Sequence, residues 1–205
     1  MKIGDRKNIV HSYNELFREH GYSPKSLGWN KGNQFLRFHQ LTSDWNLNGT
    51  KILDVGCGFG DFVDYLNYLN VSECFYLGLD LVKAFVDEAK ARHKTSNVKF
   101  IRQDFLDADF SENVDYSIAS GVFNLSLEND DEYEHLYQNM EKMFRLSSTA
   151  MSLDFLSDKV EYSHKHNFIF SPEKILSMAY NFSRNVVLKN TYFPFEFSIT
   201  IYKDD

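Results

Sequence analysis

The run Lys51-Ile-Leu-Asp-Val-Gly-Cys-Gly-Phe-Gly60 constrains this chain more than any other stretch. Ile52, Leu53 and Val55 read as a short buried strand, which breaks into glycines at alternate positions and then into helix-forming sequence. A strand that ends in a glycine loop at a helix start brings backbone N–H groups close to a bound nucleotide-like cofactor. Gly56, Gly58 and Gly60 suit that task because glycine tolerates positive φ and has no Cβ to obstruct a ligand. A glycine loop does not say which cofactor it holds, so the rest of the chain must.

Around this run, helical and strand patterns alternate. Apolar spacing predicts helices over about 8–20 and 33–45, followed by an Asn48-Gly49 turn. Strands follow at 52–55, 74–80, 98–102, 115–119, 150–155, 185–188 and 195–202, with helices at 61–70, 82–93, 130–146 and from Pro172 onward. Strands separated by helical runs predict a parallel sheet with helices on both faces, an α/β three-layer sandwich of seven strands. Only residues 190–194 join the last two strands, too short a link for a crossover, so the last strand is expected to be antiparallel. The expected organisation is an N-terminal helical cap over 1–48 and a cofactor-binding domain over 49–205, forming a single structural unit.

Charge and cysteine content narrow the partners. A formal charge of -7, with acidic residues spread along the chain, disfavours nucleic acid, which demands a Lys/Arg surface. The two cysteines, Cys57 and Cys74, have no metal or redox spacing and read as reduced thiols. With no apolar leader or membrane-length run, the expectation is a soluble cytoplasmic protein, monomer or homodimer.

Two acids select the cofactor. Asp80 ends the second strand, which lies beside the first in a doubly wound sheet, so its carboxylate emerges next to the glycine loop and can accept ribose hydroxyls. Asp104 follows the third strand, within reach of an adenine edge. The third glycine stands one place earlier than in dinucleotide binders, and Asp54 and Asp61 would repel a pyrophosphate. A cationic sulfonium or amine would be welcome there.

The segment Asp54-Val-Gly-Cys-Gly-Phe-Gly60 resembles motif I of the class I S-adenosylmethionine-dependent methyltransferases. Leu77-Gly-Leu-Asp80, Phe100-Ile-Arg-Gln-Asp-Phe105 and Asp115-Tyr-Ser-Ile-Ala-Ser120 follow in the order of that family, and Pro194–Tyr202 is similar to its final antiparallel strand. The resemblance spans about 51–202 and implies S-adenosylmethionine as methyl donor, with S-adenosylhomocysteine as product. It places the methionine part on Gly56, Cys57, Gly58 and Gly60 with Asp54 near the amino end, and the ribose at Asp80 and Leu81. Asp104 and Phe105 then flank the adenine, and Ser120 lies beneath the methyl group.

The acceptor is less constrained. Many nucleic-acid and protein-amide N-methyltransferases share a Pro-Pro-aromatic tetrapeptide after the fourth strand. This chain has Ser120-Gly-Val-Phe-Asn124 instead, which disfavours bases and amides as acceptors. A hydroxyl acceptor needs a proton removed, and His39, Asp154 and His164 are the candidate bases. Tyr13, Trp29, Gln34, Arg37, Asn124 and His166 are candidate acceptor contacts, Arg37 as a bidentate site for a carboxylate or phosphate. His164 and His166 lack a third ligand at metal spacing, so no metal site is expected. The leading expectation is metal-independent methyl transfer to a small-molecule acceptor, O-directed, such as a metabolite or a surface-glycan sugar. A protein or RNA substrate docked on a basic surface around Lys25, Lys31 and Arg37 is the alternative, and a non-catalytic cofactor-binding subunit a further one.

Overall fold

A computed structural model of the chain describes residues 1–28, 33–161 and 167–204. Its centre is a seven-stranded sheet: β1 (Lys51–Val55), β2 (Phe75–Asp80), β3 (Val98–Arg102), β4 (Val114–Ala119), β5 (Ser147–Leu156), β6 (Val186–Lys189) and β7 (Glu196–Tyr202). The spatial order is β3-β2-β1-β4-β5-β7-β6, and β7 runs antiparallel to both of its neighbours. The order reverses between β1 and β4, so a crevice opens at the carboxyl ends of those two strands.

Strand side chains alternate between two cores, as a two-sided sheet requires. Ile52, Tyr76, Ile118 and Ala150 pack on one face with α2 (Gln34–Thr42), α3 (Asp61–Tyr68) and α4 (Lys83–Arg92). Leu53, Val55, Ala119, Met151 and Leu153 pack on the other with α5 (Glu132–Leu146) and α6 (Pro172–Ala179). Asp131 and Ser171 cap α5 and α6 by accepting the N–H of Glu134 and Lys174.

The first helix, α1, spans Ile3–His20 and begins five residues before its apolar pattern does. Tertiary ties hold that polar first turn. The carboxylate of Asp5 is 2% exposed and accepts the backbone N–H groups of Glu128 and Asn129 and the side-chain amide of Asn129. The segment between β3 and β4 carries no helix; Lys142 Nζ of α5 reaches across to the carbonyls of Phe105, Leu106 and Ala108 at 2.5–3.0 Å. No described helix is long and apolar enough to cross a membrane.

Candidate active site

The glycine loop is folded against β2 before any ligand is considered. Gly56 N and Cys57 N both donate to Leu79 O at 2.8 and 2.9 Å. Gly56 has φ +75°, and a Cβ built there would lie 2.4 Å from Val122 Cγ2, so any side chain would push the loop off the turn after β4. A Cβ on Gly58 would meet Leu27 at 3.1 Å, which shows how closely the N-terminal segment lies over the loop.

Asp80 is braced on both oxygens: Oδ2 accepts Gly58 N at 2.9 Å and Oδ1 accepts Val82 N at 2.8 Å. The two oxygens offer about four acceptor sites, so the backbone donors leave room for a further hydroxyl. Burial pushes Asp80 up to about 6 against these three backbone donors, Leu81 N being the third. Asp54 is 4% exposed and accepts the Tyr76 hydroxyl at 2.6 Å. Burial raises it to about 7, Tyr76 opposes that rise, and the charge of Asp80 adds to it. A cation beside Asp54 would draw its pKa back down, which is the chemistry an amino group supplies.

One cavity is lined by Asp54, Gly56, Cys57, Gly58, Asp80, Leu81, Asp104, Phe105 and Ser120, so the structure brings nine of the ten expected cofactor residues together. Gly60 stands behind the loop as the left-handed N-cap of α3 and does not line the cavity. Asp104, 8% exposed, accepts Leu106 N at Oδ1; its Oδ2 is buried and makes no hydrogen bond among the described residues. The glycine cradle, the remaining acceptor capacity of Asp80, and the Asp104 carboxylate, which Leu106 N and the Arg6 guanidinium hold in place, fit S-adenosylmethionine.

The N-terminal segment roofs this cavity with Ile9, Tyr13, Leu27, Gln34 and Phe38. Tyr13 packs edge-on against Phe85 at 5.6 Å, and burial with the charge of Asp80 pushes it up to about 12. Asp61 also lines the cavity, but Arg92 pairs with it at 2.8 Å and offsets its charge.

Several candidates for the acceptor half are placed elsewhere. His39 is exposed on α2, 3.4 Å from the Tyr65 hydroxyl, and does not line the cavity. Asp154 is 2% exposed and committed to structure: Oδ2 accepts Ser120 Oγ at 2.7 Å and Oδ1 accepts Gly121 N at 2.6 Å. It fixes the turn after β4 rather than facing the cavity as a base, and burial raises it to about 6. Arg37 is 4% exposed and grips Glu196 of β7 with two hydrogen bonds at 2.8 and 2.5 Å. Its planar fork therefore joins the cap to the sheet instead of binding a substrate carboxylate, and it contributes no basic surface with Lys25. Asn124 accepts Leu156 N at 2.8 Å and ties two loops together. Trp29, Lys31, His164 and His166 lie outside the described residues.

The sequence reading missed a polar group on α5. Glu132, His135 and Asn139 line the cavity, with Asn139 Nδ2 donating to His135 O at 2.8 Å. Burial holds the His135 imidazole below its usual pKa. Asn139 was legible in principle, as a polar residue inside the apolar stripe Leu136, Met140 and Met143.

A model of the methyltransferase domain family matches residues 46–185. A protein of Mycobacterium tuberculosis described as a methyltransferase is 28% identical over 158 residues, covering 74% of this chain and 92% of that protein. The phthiotriol/phenolphthiotriol dimycocerosates methyltransferase of the same species is 28% identical over 109 residues, 53% of this chain but only 38% of its own length. Among solved structures, magnesium protoporphyrin IX methyltransferase from Synechocystis PCC 6803 with bound S-adenosylmethionine superposes with a TM-score of 0.68 at 15% identity, covering 99% of both chains. A DhpI complex with S-adenosylhomocysteine gives 0.70 at 15% identity, covering 98% of this chain and 97% of that one.

Proposed function

The chain belongs to the class I S-adenosylmethionine-dependent methyltransferases, and on that premise we propose that it methylates a small-molecule acceptor at oxygen. The observation that carries the small acceptor is the roof: Leu27 lies so near Gly58 that a Cβ there would meet it at 3.1 Å, and Tyr13, Gln34 and Phe38 wall the same cavity. A polymer could not thread such a covered site without displacing the cap. The names of two relatives agree in kind, one carrying a dimycocerosate and the other magnesium protoporphyrin IX.

S-adenosylmethionine supplies, when bound, a methyl group on a sulfonium that is already a strong electrophile. The residues then bind, orient and exclude water, which is worth several kcal/mol of barrier in an in-line displacement. Asp80 takes the ribose hydroxyls, Asp54 the amino group and Asp104 the adenine amino group. Asp154, through Ser120 and Gly121, holds the β4 turn against the glycine loop. The oxygen preference rests on the 120–124 segment: it has no proline clamp, and its one amide side chain, Asn124, is spent on Leu156. His135 is the cavity-lining imidazole among the described residues and has the chemistry to hold a proton.

Formation of S-adenosylhomocysteine, scored across panels of hydroxylated metabolites, nucleotide sugars, amines, peptides and RNA, tests the reading. Turnover confined to the hydroxylated small molecules is expected. Turnover with peptide or RNA alone would overturn it in favour of the macromolecular alternative.

A further inference from the structure

Two neighbouring residues of α1 grip opposite rims of the cavity's adenine end. Asp5 is held by the backbone of Glu128 and Asn129, after β4. Arg6, the next residue, reaches the loop after β3: Nη2 lies 2.7 Å from Asp104 Oδ2, and Nη1 lies 2.8 Å from Asp107. Ile9 of the same helix and Met1, just before it, line the cavity. The Arg6–Asp104 contact is a 2.7 Å ion pair on a carboxylate that is itself 8% exposed, so the charge of Asp104 is partnered before any ligand enters.

We propose that Arg6 is a positioning residue for the cofactor: it holds Asp104 so that the carboxylate meets the adenine amino group. This rests on the reading of the cavity as the S-adenosylmethionine site. Asp104 Oδ1 is already fixed by Leu106 N, so with Arg6 on the other oxygen the carboxylate has one orientation open to it. The arrangement reads a donor. Adenine presents an amino group there, whereas a 6-oxo purine would present a carbonyl to a carboxylate and be repelled. Arg6 comes from the N-terminal helix, outside the strand-and-loop motifs, so recognition of the base depends on the cap being docked.

Calorimetric titration of the full chain with S-adenosylhomocysteine and with its 6-oxo counterpart, S-inosylhomocysteine, tests this. The wild type is expected to prefer the adenine compound by roughly 100-fold, the loss expected when a buried acceptor faces an acceptor. Arg6→Met is expected to weaken S-adenosylhomocysteine by about tenfold and to shrink the preference to below about tenfold, with Arg6→Lys recovering most of both. Asp107→Asn, which removes only the exposed outer half of the grip, should keep the preference. An equal loss of affinity for both compounds in Arg6→Met would reduce Arg6 to a packing contact of the cap and overturn the proposal. So would an unchanged dissociation constant, or collapse of the preference in Asp107→Asn. Failure of the wild type to bind S-adenosylhomocysteine would be a different result, striking the cofactor site itself.

Discussion

Asp80→Ala is expected to weaken S-adenosylmethionine binding by about 1.5–3 kcal/mol, or roughly 10- to 150-fold, in a calorimetric titration. Two effects combine. The substitution removes the carboxylate we propose for the ribose hydroxyls, and it releases Gly58 N and Val82 N, which Asp80 fixes at 2.9 and 2.8 Å. The glycine loop would then lose a brace as well as a ligand contact. Asp80→Asn is not expected to rescue binding. Both carboxylate oxygens face backbone N–H donors, so whichever way the amide is turned, its NH2 group opposes one of them. A dissociation constant within threefold of wild type in both variants would show that the ribose is held elsewhere.

Glu196→Ala is expected to lower folding stability by about 3–5 kcal/mol in urea or thermal unfolding, the cost of breaking a buried ion pair from one side. Arg37 and Glu196 are 4% and 3% exposed and joined by two hydrogen bonds, and the partners come from α2 and β7, 159 residues apart in sequence. Removing the carboxylate leaves the Arg37 guanidinium buried without its bidentate partner Glu196, with Asp154 as a nearby charge. The double variant Arg37→Met/Glu196→Leu should recover much of the loss, because an apolar pair of similar volume avoids the desolvation of both charges. A loss below about 1 kcal/mol in Glu196→Ala would place the pair in the class of exposed salt bridges.

These two variants mark the boundary of what the sequence could say. The lining of the cavity was legible because local chemistry dictates it: a strand of apolar residues, glycines at the positions where the chain turns, and acids at the ends of successive strands. Strand alternation and the short 190–194 link likewise predicted the seven-stranded sheet and its antiparallel β7. Three of the acceptor candidates are placed elsewhere by one common cause. Arg37, Asn124 and Asp154 have the chemistry for a polar rim, and each bonds a distant internal partner: Glu196, Leu156 (through the amide oxygen of Asn124) and the Ser120–Gly121 turn. A residue's type tells what bonds it can make, and only the fold tells which partner reaches it first. The early start of α1 was missed for the same reason. Gly4, Asp5 and Arg6 have no apolar period, and what orders them is contact with residues 104–107 and 128–129.

The most direct measurement is a titration of the full chain with S-adenosylmethionine and S-adenosylhomocysteine. The account predicts one equivalent bound per chain, with a dissociation constant on the order of micromolar, about 8 kcal/mol. The absence of binding by either compound would contradict the assignment of the Lys51–Gly60 loop and of everything built on it.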